Sequence, residues 1–147
     1  MNFSKFMKKE IVFKLAELFC GPGGLALGAI RSSAQNNSTA FRVSSVWAND
    51  IDADTCRTYA LNIHEGRNKG VICSPVENVD FTKAPEFDAL AFGFPCNDFS
   101  MVGEQKGVDG KYGPLYSYGV KAINSHNPKW FIAENVSGLQ SANNGEA

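Results

Sequence analysis

One cysteine stands where a strand should end. In Gly93-Phe94-Pro95-Cys96-Asn97-Asp98-Phe99-Ser100, the apolar run 89–92 leads into a turn stiffened by glycine and proline. Pro95 has no N–H and restricts Phe94 before it, so a strand stops here and Cys96 belongs just beyond its carboxyl end. Open α/β sheets put their ligands at that edge. A thiolate there can attack an electron-poor carbon without a metal; the alternative is a small buried hydrophobe. The second group is Glu134 in Ala133-Glu134-Asn135-Val136, at the end of the run 130–134. A carboxyl emerging beside the strand that delivers Cys96 could protonate a ring as the thiolate adds to it. The alternative is a solvated glutamate capping a turn.

A third constellation suits a nucleotide-like ligand. The run 11–19 leads into Phe19-Cys20-Gly21-Pro22-Gly23-Gly24-Leu25, a turn that can bring backbone N–H groups and a helix N-terminus close to a ligand. Gly-x-Gly-Gly alone also fits a plain strand-to-helix turn. Asp50, at the end of the second strand, strengthens the ligand reading, because an acidic residue there accepts ribose hydroxyls. It lies a little farther along than the usual ~20 residues, an excess that the polar stretch 32–39 can absorb. Asp50, Asp52 and Asp54 do not make a calcium loop, since Thr55 and Leu61 stand where that loop needs glycine and glutamate. Asp52 and Asp54 are expected to cap and begin a helix.

These groups must be carried by a sheet. Apolar runs of strand length fall at 11–19, 42–49, 71–73, 89–94 and 130–134. Between them, Cys56, Tyr59, Ala60 and Ile63 recur with helical spacing, as do Leu115, Gly119, Ala122 and Ile123, the latter opened by Pro114 and closed before Asn127-Pro128. The stretch 32–39 reads as a surface loop. Strands alternating with helices predict an α/β fold, a doubly wound and mainly parallel sheet with helices on both faces. The pattern stops soon after about the fifth strand, which is expected to leave an exposed edge and an apolar face.

Length and composition bound the rest. The chain has 147 residues, 44% hydrophobic and 20% charged, with net charge −1, which suits one domain and excludes a basic surface spread over the whole chain. Cys20, Cys56, Cys73 and Cys96 show no CxxC spacing, and His64 lies far from His126, so no metal site is expected. Lys14 and Glu17 interrupt the first apolar run, which argues against a signal peptide or membrane span. A reducing cytoplasm is the expected location.

In this order, the motifs resemble those of the cytosine-5 DNA methyltransferases. The resemblance runs over about residues 14 to 139 and rests on Glu17-Leu18-Phe19-Cys20-Gly21-Pro22-Gly23-Gly24, Trp47-Ala48-Asn49-Asp50-Ile51-Asp52, the Cys96 octapeptide and Glu134-Asn135-Val136. It implies a Rossmann-like fold that binds S-adenosylmethionine against Phe19, Gly21, Gly23 and Gly24, with Asp50 on the ribose, Ile51 beside the adenine, and Pro95 and Leu115 completing the wall. It further implies that S-adenosylhomocysteine is the product. Double-stranded DNA is the implied partner, with the target cytosine flipped out of the stack. Cys96 would add to carbon 6 of the base and Glu134 would stabilise protonation at nitrogen 3. Ser100, Asn135 and Lys111 are the implied substrate contacts, Lys111 standing where an arginine is common in the family. Two further departures are Asn97 after the nucleophile and Pro75 where an acidic residue near the adenine is expected.

The family pattern continues with an arginine-bearing strand, a target-recognition lobe and a returning helix, none of which is present among these 147 residues. The expectation is a partial catalytic domain over 1–147 from a bacterial restriction-modification enzyme, acting near the nucleoid, with weak or absent methylation alone and a second polypeptide as one source of the missing lobe. Two other readings remain open: a cofactor-binding or dimerising fragment without catalysis, and a tRNA cytosine-5 methyltransferase.

Overall fold

The computed structural model describes residues 9–67, 69–95 and 115–137. The central strand β1 (Lys9–Leu18) alternates exposed and half-buried residues at its start and is buried on both faces from Leu15 to Leu18, the pattern of a strand that enters a covered parallel sheet. It is followed by α1 (Gly24–Arg31), β2 (Ala34–Gln35), β3 (Thr39–Asp50), α2 (Ala53–Ile63), β4 (Val71–Cys73), β5 (Ala89–Gly93), α3 (Tyr116–His126) and β6 (Trp130–Glu134). Short 3-10 turns at Val76–Asn78 and Phe81–Lys83 lie between β4 and β5.

The sheet runs β2-β3-β1-β5-β6, and β4 lies beside the carboxyl end of β3. All pairs are parallel except β2 with β3. The chain builds outward from β1 through β3 and β4, then crosses to β5 and β6 on the other side. That reversal opens a crevice at the carboxyl ends of the strands.

Helices cover both faces, as predicted. On one face Leu15, Cys20, Ala26, Ala48, Tyr59, Ala89 and Ala91 pack together beneath α1 and α2. On the other, Trp47, Phe81, Phe87, Leu90, Phe92 and Phe94 pack with Ala122 of α3. The register of β1 against β3 slips between Leu15 and Ala16, so that Ser45 and Trp47 face consecutive residues and Val46 is extra. This bulge turns both Val46 and Trp47 toward the aromatic face.

The helices predicted from periodicity are α2 and α3. Asp52 caps α2, its Oδ1 accepting from the Thr55 N–H at 2.7 Å, and Asp54 pairs with Arg57 in the first turn. The stretch 32–39 differs from the expected loop. Asn36 Oδ1 accepts from the N–H groups of Ser38 and Thr39 at 3.0 and 2.8 Å, a local side-chain turn that folds Ala34–Gln35 back onto β3 as a short antiparallel strand. At the opposite margin β6 leaves Phe131 55% and Ile132 50% exposed, the apolar edge expected from the sequence.

Candidate cofactor and catalytic site

The crevice is a cavity of about 510 Å³ lined by residues from four strand ends. Phe19 follows β1, Asn49 and Asp50 end β3, Pro75, Val76 and Glu77 follow β4, Gly93 and Pro95 close β5, and Leu115 precedes α3. Five of the predicted cofactor residues therefore line this one cavity: Phe19, Asp50, Ile51, Pro95 and Leu115.

The glycine turn is held from this wall rather than forming it. Asp50 Oδ2 accepts from the Gly21 N–H at 2.9 Å, and its Oδ1 accepts from the Asp52 N–H at 3.0 Å. One carboxylate thus ties the turn after β1 to the turn after β3, and each oxygen keeps a lone pair for a hydroxyl donor. Phe19, Gly21 and Gly23 all have positive φ. Gly23 is required twice over: its φ is +98°, and a Cβ there would stand 2.7 Å from Ile63 Cγ1. Gly24 begins α1 and lines a separate apolar cleft with Leu25, Gly28, Trp130 and Ile132.

Beneath the turn lies a polar chain that sequence reasoning missed. Glu17 is 1% exposed. Its carboxyl accepts from the Tyr59 hydroxyl at 3.1 Å and from the Ala26 N–H in the first turn of α1. Burial pushes its pKa up to about 7, against the lowering effect of those two donors. Ser45 Oγ joins Tyr59 to His64 Nε2, with both contacts at 3.0 Å. Burial also raises the Tyr59 and Cys20 pKa values and lowers that of His64. A lone acid inside an apolar strand was the available signal for Glu17. Asn49 was missed as well; it is buried, and its Nδ2 donates to the carbonyls of Ile72 and Ser74 at 3.0 and 2.9 Å. Those bonds hold the segment that presents Pro75, Val76 and Glu77 to the cavity.

Glu134 reaches the same edge. It is the register partner of Gly93, and its Oε2 lies 3.1 Å from where a Cβ on Gly93 would stand. Glycine at 93 therefore leaves room for the carboxylate beside the Phe94-Pro95 turn. Asn135 Nδ2 donates to the Phe94 carbonyl at 2.9 Å, pinning that turn to the end of β6. Cys96, Ser100 and Lys111 lie outside the described residues, as do Asn97 and Asp98. Among the described residues no group of three or more His, Cys, Asp or Glu is placed to hold a metal, and no helix is long and apolar enough to cross a membrane.

A mainly parallel sheet with helices on both faces and an acid-tipped crevice at its reversal point defines a Rossmann-like fold. The match to the Dnmt2 methyltransferase structure from S. pombe shows the same fold, with a TM-score of 0.62 at 18% identity over 92% of this chain and 38% of that one. The family described as C-5 cytosine-specific DNA methylase matches residues 13–147, and the chain belongs to that family. It is 54% identical over 141 residues to the Type II methyltransferase M.BbvI of Brevibacillus brevis, a match spanning 92% of this chain and 38% of the relative. It is 37% identical to the Type II methyltransferase M.NgoFVII of Neisseria gonorrhoeae, over 91% of this chain and 33% of that protein. The chain thus spans less than two-fifths of the length of these relatives.

Proposed function

We propose that this chain carries the cofactor pocket and catalytic groups of a DNA cytosine-5 methyltransferase of a restriction-modification system. The observation that carries the reading is the cavity at the reversal point, where Phe19, Asp50, Ile51, Pro95 and Leu115 meet within one register step of Glu134. The wall suits S-adenosylmethionine: apolar and aromatic surface for a flat base, and a carboxylate with free lone pairs for ribose hydroxyls. Of the glycine turn, Gly21 is the residue tied to this wall, through its N–H to Asp50, while Gly23 shapes the turn behind it and Gly24 faces a separate cleft.

The residues divide the chemistry. Phe19, Asp50, Ile51, Pro95 and Leu115 would hold S-adenosylmethionine, which would supply an electrophilic methyl group, with S-adenosylhomocysteine as the product. Cys96 Sγ, as thiolate, forms a bond to carbon 6 of a cytosine swung out of the duplex. Glu134 holds a proton at nitrogen 3, so the electron pair displaced by the thiolate gathers at carbon 5 instead of as charge on the ring. Once carbon 5 has been methylated, its proton leaves and the carbon–sulfur bond breaks, returning Cys96 and the aromatic ring. Asn135 acts by positioning the turn before Cys96, and Ser100 and Lys111 meet the DNA backbone.

Residues 1–147 form a partial catalytic domain in this reading. The groups that read bases lie outside it, on the rest of a longer chain or on a second polypeptide, so methylation by these residues alone is weak or absent. The site operates in the cytoplasm on nucleoid DNA. Calorimetry with S-adenosylmethionine tests the pocket. Binding at one site is expected, and Asp50→Ala should weaken it about tenfold or more; no binding, or binding indifferent to Asp50, would overturn the assignment.

A further inference from the structure

Two cysteines that the proposed chemistry leaves unused meet at the rim of the cavity. Cys56 is buried in the first turn of α2, and its Sγ donates to the Asp50 carbonyl at 3.6 Å. Cys73 is the exposed last residue of β4, and its Sγ donates to the Ile51 carbonyl at 3.7 Å. Both thiols therefore converge on consecutive carbonyls of the turn that lines the cavity. The Cys73 thiol is also near enough to bear on the ionisation of Cys56.

Rigid elements hold them there. Cys73 is the register partner of Asp50 across β3 and β4, and the Cys56 N–H donates to the Asp52 carbonyl at 2.9 Å. Burial, followed by the neighbouring Cys73 thiol, pushes the Cys56 thiol up to about 12. The two cysteines thus differ in accessibility, one open to a reagent and the other held behind it.

We propose that Cys56 and Cys73 are a thiol–disulfide modification site, closed by exchange with a small disulfide of the oxidised-glutathione class. Cys73, as thiolate, attacks one sulfur of the small disulfide, forming a mixed disulfide and releasing one thiol. Cys56 then attacks Cys73 Sγ, its proton passing to the small thiolate that departs, which leaves as the second thiol. Two protein S–H bonds and one S–S bond are exchanged for one protein S–S bond and two small thiols, so the electrons balance. Closure removes both S–H donors from the Asp50 and Ile51 carbonyls and staples α2 to β4, which weakens ligand binding in the cavity. That last consequence rests on the cofactor reading; the disulfide itself does not.

The test treats the protein with oxidised glutathione, alkylates the remaining thiols and maps the peptides by mass. A linked Cys56–Cys73 pair is expected, absent in Cys73→Ser, with Cys20 alkylated only on unfolding. A stable glutathione adduct on Cys73 without closure, or linkage to Cys20 or Cys96, would overturn the proposal. Calorimetry on the reduced and oxidised forms then reads the coupling. S-adenosylhomocysteine should bind the oxidised form at least about fivefold more weakly, with recovery on reduction. Equal affinities would overturn the coupling, whereas no binding to the reduced form would count against the cofactor reading alone.

Discussion

Replacing Glu17 by Gln should remove a pH-dependent burden on the fold. The Glu17 carboxyl ionises near 4.5 when unrestrained and near 7 in the folded protein, because burial disfavours its charge. Between those values the unfolded chain releases a proton that the native protein keeps. Stability therefore falls as pH rises through the window, by about 1.4 kcal/mol per pH unit and about 3 kcal/mol in all. Below about pH 4 both states are protonated and the effect vanishes. Gln keeps the shape and an acceptor for Tyr59 and Ala26, but has no proton to lose. It shifts the whole curve by a constant of about 1 kcal/mol for altered hydrogen bonding. The slope, not that offset, reports the Glu17 proton.

The assay is urea unfolding followed by tryptophan fluorescence, on both proteins, from about pH 4 to about pH 8. Trp47 is buried on the aromatic face and reports the transition. His64, whose pKa burial lowers from 6.5, contributes in the opposite sense, adding stability as pH rises toward that value. It is present in both proteins and cancels in the difference. The variant should gain about 3 kcal/mol on the wild type between the ends of the range. Parallel curves would mean that Glu17 is ionised in the fold, and the reasoning from its burial would fail.

Gly119→Ala should destabilise the protein although alanine favours helices, because a Cβ there would stand 2.4 Å from Phe92 Cε2. A helix gain of about 1 kcal/mol against an overpacking cost of about 1–3 leaves a net loss, and a raised melting temperature would contradict it. Glu134→Gln, made in a protein that includes the lobe needed for turnover, should cut methylation by about 10²–10⁴. Its S-adenosylmethionine affinity should stay within about threefold of wild type, since Glu134 does not line the cavity; a matching loss of affinity would place it in the cofactor wall instead. Asn49→Ala should cost about 2–3 kcal/mol by freeing two carbonyls, and a loss near zero in urea unfolding would show that those carbonyls find other partners.

Much of the frame was legible because it is written in local patterns. The periods of α2 and α3, the cap at Asp52 and the apolar runs of the main strands each depend on neighbours along the chain. The hairpin at β2 was not, because two strand residues carry no period and the turn depends on which oxygen Asn36 offers. The site divides in the same way. Asp50 and Glu134 were visible as acids at strand ends, and the structure puts Asp50 on the cavity wall and Glu134 beside Gly93. Glu17 looked like an interruption in an apolar run, and only its partners on α1 and α2 show it to be a buried link whose pKa burial raises.

The sequence by itself determined the kinds of chemistry available and the order in which strands and turns deliver them, since proline, glycine, charge and period act over a few residues. Tertiary structure decided which residues meet. The slip at Val46 sets which side chains of β3 face the aromatic core. The crossing from β4 to β5 opens the cavity, and the Asp50–Cys73 register brings two thiols onto one turn. Such pairings depend on strand register and helix docking across long separations, where no short-range pattern carries the information.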